Sequence, residues 1–446
     1  MERSSGCRIC VAFSLLLSLA CSARAEVKVS SVFGSRMVVQ QDLPVPVWGW
    51  ADPGEKITVR LDDQKPVSAE AEAKGNWRVT LEPLKADGKP HTLIVSGKNT
   101  ITLEDILIGE VWVGSGQSNM AMGLGKAADA SANQPEIRLL QVPAAMSKTP
   151  NKNIEAEWKV CSAETAAGFS SVLYHFGTRL HGELKVPIGL INASRGSTAI
   201  QQFMPPPAAG PLFNGSIAPL IPVGMRGAIW YQGEANAQQK DGLKYADRVK
   251  TMLEGWRSLW GREFPFYFVQ LAPLANYEAG ILPPLWEAQL ACLKIPRTGV
   301  AIINDLAGNM RNIHPGNKDE VGYRLARWAL ARDYGRKDVV VSGPLYKSMK
   351  VEGKSIRLSF AHTAGGLKSR DGKPLTEFQI SGGDGSFVAA RARIDGETVV
   401  VEAEQVAEPT QVRFAWQNAP NSNLVNAAGL PASAFHTNDW QGGTGE

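Results

Sequence analysis

Cysteine is scarce in this chain. Five occur among 446 residues, and Cys7, Cys10 and Cys21 fall within the first 25 positions, leaving Cys161 and Cys292 for the remainder. Two thiols exclude a disulfide framework; they allow one bridge in an oxidising compartment or two separate buried thiols. Charge of one sign is also lacking. Lys and Arg number 47 against 43 Asp and Glu, a net charge of +4, and residues 1–25 carry away Arg3, Arg8, Arg24 and Glu2, so nothing points to a nucleic-acid partner. Past the first residues no stretch approaches roughly 18 uninterrupted apolar residues, which excludes a helical membrane span. No H-E-x-x-H, cysteine cluster or paired-histidine motif occurs, so neither a metal nor an organic cofactor is implied. There is no internal repeat at a fixed period.

The first 25 residues have the form of a secretory signal. Arg3 and Arg8 precede an apolar run from Val11 to Ala20, and Ala23-Arg24-Ala25 fits a cleavage site, which predicts a secreted or periplasmic protein starting near Glu26. Lipid attachment at Cys21 is the alternative. The remaining length, about 420 residues, exceeds what one hydrophobic core usually supports. Residues 26–104 have all-β texture, with short β-branched and aromatic segments separated by turn pairs such as Pro53-Gly54 and Asp87-Gly88, and predict a small β-sandwich. No titratable cluster stands out there. From 105 to 335 short apolar strands alternate with segments of helical period. SSVLYHFGTRLHGEL and KYADRVKTMLEGWRSLW each place apolar residues on one face, and the alternation predicts an α/β unit, a parallel sheet covered by helices. Its strand candidates are Val111–Val113, Val186–Asn192, Arg226–Tyr231, Phe266–Leu271 and Val300–Asn304. Residues 336–446 return to β texture with Gly-Asp-Gly and Asp-Gly turns, a second β domain.

The chemistry concentrates at strand ends in the middle region. ILIGEVWVGSGQSNM is an apolar strand that stops at Gly114-Ser115-Gly116, where small residues permit a sharp turn that projects the Ser118 hydroxyl at the carboxyl end of the sheet. Asn119 is suited to cap a following helix. The lipase pattern G-x-S-x-G fails, because Met120 stands in its last position. Two further loops follow strands: GLINASRGST, with Arg195 and Gly196, and IWYQGEAN, with Gln232, Glu234 and Asn236. An acyl-transfer site needs a nucleophile, a base and donors aimed at an oxyanion, and these loops hold a candidate for each. His314, fixed in a turn by Pro315 ahead of an amphipathic segment, is the base candidate, since imidazole titrates near neutrality.

These blocks, V-W-x-x-x-GQSNM, GLINASRGST, FNGSIAPLIP, WYQGEAN and IHPGNKDEVGYRLA, together with VVQQDLPVPVWGWADPGE and NLVNAAGLPASAF, resemble the sialate O-acetylesterase family of the SGNH-hydrolase group. The resemblance spans nearly the whole chain after residue 25. It implies an SGNH-type parallel sheet flanked by N-terminal and C-terminal β-sandwich-like domains, and a secreted esterase acting on an O-acetylated sugar or glycan. It also implies Ser118 as nucleophile, His314 as general base and then acid, and Ser118 N–H, Gly196 N–H and the Gln232 side chain as oxyanion donors, with Asn236 competing for that last role. Glu234 and Arg195 complete the implied substrate surroundings.

Two departures accompany the resemblance. The family's acid precedes the histidine by two or three residues, where Asn312 and Arg311 stand, so either Ser118 and His314 act as a dyad or Asp305 supplies the carboxylate. Arg195 stands where relatives commonly carry an aromatic residue. The expected function is removal of O-acetyl groups from sialic acids, with acetyl xylan or another polysaccharide as alternative. A carbohydrate-binding protein with a degraded esterase core is the alternative of another class. The oligomeric state has no signature in the chain.

Overall fold

One strand threads the architecture. A computed structural model describes residues 26–445; the expected leader and the alternative attachment at Cys21 lie outside these. In chain order the elements that build the site are β1 (Thr100–Gly116), the short helix α1 (Ser118–Ala121), β2 (Gln134–Gln141) and β3 (Trp158–Cys161). Next come α2 (Ser171–Leu184), β4 (Ile188–Ser194), β5 (Gly227–Tyr231), α3 (Glu234–Gln238) and α4 (Lys244–Trp260). The last are β6 (Phe266–Val269), α5 (Leu282–Ala291), β7 (Thr298–Ala301) and α6 (Lys318–Arg332).

The strand order β3-β2-β4-β1-β5-β6-β7 forms the centre of an eleven-stranded mixed sheet. Every pairing along this path is parallel except that of β3 with β2. β1 has 17 residues, and its character changes along its length: the start mixes exposed and buried positions, whereas Ile106 to Gly116 are all buried. That change follows the pairing. The start pairs antiparallel with His91–Ser96, and the later part lies between β4 and β5 with helices on both faces, where parallel strands become continuously apolar. The short strand read at Val111–Val113 is thus the end of a much longer one, which runs across the 104/105 division drawn from composition.

The helical segments at 171–184 and 244–260 form as their periodicity predicts. α2 and α6 pack against each other on one face of the sheet, and Gly322 allows it: a Cβ there would stand 2.7 Å from Val172 O and Phe176 N. α5, by contrast, is apolar almost all round and nearly fully buried, which hides its period.

Past α6 the chain forms two four-stranded sheets and a two-stranded one, antiparallel throughout. This part is bonded into the middle region. Asn418 Oδ1 accepts the Leu282 N–H at the start of α5, at 3.0 Å. Asn304 Nδ2 donates to Ala432 O at 2.7 Å, and Ser433 Oγ donates to Gln270 Oε1 at 3.0 Å. Cys161 and Cys292 are separate, free and buried, and burial pushes the Cys161 thiol up to about 12. The N-terminal strands do hold a titratable cluster, contrary to the sequence reading: His91 lies 2.5 Å from Asp62 and 3.0 Å from Asp87. Burial opposes its charged form, yet the bonds to both carboxylates prevail and raise its pKa.

Midway along β1, Glu110 is fully buried. Arg226 grips it with two bonds of 2.7 Å, Gln40 and Gln41 donate at 3.0 and 2.8 Å, and Tyr334 OH donates at 2.9 Å. Removing one side of such a pair strands the other. Glu110→Ala is expected to lower unfolding free energy by about 3 kcal/mol or more, and Glu110→Gln by less. Urea titration followed by circular dichroism measures both; equal stability of Glu110→Ala and the parent chain would refute this role.

Candidate active site

The site forms where β4, β1 and β5 end side by side. β1 pairs with β4 from Glu110–Ile188 to Gly116–Ser194, and with β5 up to Gly116–Tyr231. The strand order reverses direction about β1, the place where open α/β sheets leave a crevice. Gly116 has φ +135°, and a Cβ there would meet Tyr231 O at 2.1 Å, so only glycine lets the chain turn this close to its neighbour. The turn delivers Ser118 to the top of the sheet as the first residue of α1. Asn119 does not cap this helix; Gln117 precedes it and the Asn119 side chain turns inward.

Ser118 Oγ and His314 Nε2 lie 3.0 Å apart, although 196 positions separate them in the chain. The His314 loop is tied by its own backbone, with His314 N–H donating to Asn312 Oδ1 at 3.0 Å. Burial lowers the His314 pKa below its usual 6.5, and the nearby Lys318 charge lowers it further. The ring is therefore biased toward the neutral form a general base requires. Gly196 sits against Ser118: a Cβ built on it would be 3.6 Å from Ser118 Cβ. Among the described residues neither the Ser118 N–H nor the Gly196 N–H has a hydrogen-bond acceptor. Arg195 lies beside them and spends one donor, Nη1, on Ala144 O at 3.2 Å.

Four of the expected site residues do other work. Asp305 does not orient His314, because both carboxylate oxygens are held by Arg324 at 2.6 and 2.8 Å. A guanidinium fork fits a carboxylate better than an imidazole edge does. Gln232 is 0% exposed, and its Nε2 serves Gln117 Oε1, Thr198 O and Asn236 Oδ1 at 3.0, 3.0 and 2.7 Å. Asn236 is likewise buried, with Nδ2 given to Gln201 and Asp241. Neither amide retains a donor for an oxyanion; together they brace the Ser118 turn against the Gly196 loop. Glu234 lies beneath the turn at 4% exposure, bonded to Asn119 Nδ2. Burial raises its pKa.

Sequence reasoning passed over Asn119 as a bridge and Lys318 altogether. Lys318 opens α6, and a cation in the first turn of a helix opposes the helix dipole, which was the signal available. Among the described residues no group of three or more His, Cys, Asp or Glu side chains is disposed to hold a metal ion.

Comparison with known proteins identifies the family. Residues 108–331 match the family model described as carbohydrate esterase, sialic acid-specific acetylesterase. The sialate O-acetylesterase of Homo sapiens is 28% identical over 395 residues, covering 74% of this chain and 75% of the relative. That of Rattus norvegicus is 27% identical over 447 residues, covering 79% and 82%. A crystal structure of a carbohydrate acetylesterase from Xanthomonas citri superposes with a TM-score of 0.87 at 35% identity, over 93% of this chain and 100% of that one. With the middle region matched to the family model and a relative of this identity aligned over nearly the full length, the chain belongs to the sialic acid-specific acetylesterase family of carbohydrate esterases.

Proposed function

We propose that the chain removes O-acetyl groups from carbohydrates through a serine nucleophile, with O-acetylated sialic acid as first substrate. The observation that carries this is the 3.0 Å contact between Ser118 and His314, set beside two backbone N–H groups without acceptors among the described residues. Ser118 Oγ attacks the acetyl carbon while its proton passes to His314 Nε2. The carbonyl oxygen, now negative, receives the N–H groups of Ser118 and Gly196. As the tetrahedral species collapses, the bond from the acetyl carbon to the sugar oxygen breaks. That oxygen takes the proton back from His314, and the acetyl group stays on Ser118. Water, deprotonated by His314, then attacks the acetyl carbon; acetate leaves and Ser118 recovers its proton.

This is a dyad mechanism. Arg311 and Asn312 occupy the acid's place, and Asp305 is committed to Arg324. A carboxylate's work is to hold the tautomer and stabilise imidazolium, so its absence slows the reaction without abolishing it. Sialate is favoured by the family's description and by the names of the relatives. Arg195 adds a chemical reason, because a guanidinium with donors to spare suits the carboxylate of an acidic sugar. Acetyl xylan or another polysaccharide is the second reading, favoured by the Xanthomonas citri structure, which is described only as a carbohydrate acetylesterase.

The finer architecture belongs to the same proposal: an SGNH-hydrolase-like unit over 105–335, flanked by sandwich-like β regions at 26–104 and 336–446. The parallel centre of the sheet and the antiparallel sets on either side support it. Secretion or periplasmic export rests on the leader at 1–25.

Ser118→Ala and His314→Ala are each expected to reduce acetate release from 4-nitrophenyl acetate by about a thousandfold. Equal rates for Ser118→Ala and the unsubstituted protein would leave a carbohydrate-binding protein in place of an enzyme. Because the base must be neutral and its pKa is lowered, the midpoint of the acid limb of kcat/KM should lie below pH 6.5; a pH profile locates that limb, and a midpoint above 6.5 would contradict the assignment. Arg195→Ala should raise KM about tenfold for O-acetylated sialic acids, while acetylated xylo-oligosaccharides are unaffected. A wide preference of the parent enzyme for the xylo-oligosaccharides would transfer the substrate to the second reading.

A further inference from the structure

Lys318 stands where elementary electrostatics disfavours it. It is the first residue of α6, at the positive end of the helix dipole, and is only 6% exposed. A buried ammonium is costly unless its charge is answered nearby. Here the answer arrives through an intermediary. Lys318 Nζ donates to Asn119 Oδ1 and lies 5.4 Å from the centroid of the Tyr231 ring. Asn119 Nδ2 donates in turn to Glu234 Oε1. Ammonium, amide dipole and carboxylate thus stand in line, each with its favourable end toward the next. A flipped amide would set NH2 against the ammonium and oxygen against the carboxylate, so the two charges dictate which way Asn119 faces.

That orientation matters because Asn119 Nδ2 also donates to Ile313 O at 3.0 Å. Asn119 follows the nucleophile and Ile313 precedes the base. One side chain therefore ties the Ser118 turn to the His314 loop, and its hold on both depends on the charges at its two ends.

We propose that Lys318 is a positioning residue of this esterase: with Glu234 it clamps Asn119, and through that clamp it sets the approach of Ser118 to His314. The proposal rests on the serine-esterase reading above. The same charge acts on the His314 ring. An acid partner favours imidazolium, whereas the ammonium of Lys318 disfavours it, which keeps the base neutral and makes the protonated ring a readier acid toward the departing sugar oxygen. The surrounding groups divide clearly. Glu234 on α3 faces Lys318 across Asn119, and Tyr231 at the end of β5 presents its ring. On α6 itself Glu320 is held by Arg324, which also holds Asp305, while Asp319 acts on His175 of α2. Burial pushes the Lys318 amine down to about 8, with Glu234 opposing the shift.

The test uses the full chain, 4-nitrophenyl acetate and kcat/KM profiles between about pH 4 and 8. Ser118→Ala is run first. Lys318→Met removes the charge at similar volume; kcat should fall about tenfold or more with little change in KM, and the acid limb should move up by about half a unit. Lys318→Arg keeps the charge and should leave the limb in place. Glu234→Gln removes the charge that offsets Lys318 and should move the limb down, the opposite direction. A merely structural role moves neither limb. Should Lys318→Met fail to fold by circular dichroism, Glu234→Gln decides alone, since it exchanges a single oxygen for an amino group. An acid limb that stays fixed, or moves the same way in both variants, overturns the proposal while Ser118 dependence keeps the esterase reading intact. Loss of Ser118 dependence in the parent enzyme overturns both.

Discussion

A carboxylate with no access to water holds this molecule in register. Glu110 sits inside the sheet, and its two oxygens collect bonds from Gln40 and Gln41 on the N-terminal side, from Arg226 at the entry to β5, and from Tyr334 beyond α6. Burying a charge is tolerable only when every lone pair is answered, so these four residues have little freedom in where they stand. Arg226 is the residue before β5. Fixing it against Glu110 fixes the level at which β5 runs beside β1, and hence which residues emerge together at the top of the sheet. The closeness of Gly116 to Tyr231, the turn into Ser118 and the footing of Gln232 all follow from that alignment.

The mechanism proposed for this site divides its labour differently from a triad. In a triad one carboxylate holds the imidazole and supplies the compensating charge. Among the described residues none is bonded to the second nitrogen of the His314 ring, so on the proposed mechanism neither task falls to such a partner. The contacts around the ring come from backbone and amides: Asn312 accepts the His314 N–H, and Asn119, bonded to Lys318 and Glu234, donates to Ile313 O. The cost is a less stabilised imidazolium. The compensation is a ring whose charged form is disfavoured, by burial and by the Lys318 charge.

Much of this was open to a reader of the sequence, for physical reasons. α2 and α4 have one apolar and one polar face, so their period is visible. α5 has no such contrast, and β2 and β3 are partly exposed segments whose mixed residues give no clean alternation. Ser118 and His314 were legible because a hydroxyl after a glycine turn and an imidazole before proline carry their chemistry locally. The fates of Gln232 and Asn236 were not. Both sit in a strand-end loop, where donors toward a substrate are expected, but an amide's availability depends on who else claims it. Their claimants, Thr198, Gln117, Gln201 and Asp241, come from three separate stretches of chain. Asp305 failed for the same reason, since Arg324 lies 19 residues on in the sequence and beside it in space.

The bonds from Asn418 to the start of α5, from Asn304 to Ala432 and from Ser433 to Gln270 bear on how such a protein can change over generations. Polar groups inside the middle region find their partners in residues contributed by the far end of the chain. A recombination event that transplanted residues 105–335 alone would import those groups as orphans, each with a desolvation debt. Modularity is therefore denied to this arrangement. Lineages built on it are free to diversify by lengthening rim loops such as the one carrying Arg195, and are barred from exchanging their flanks like cassettes.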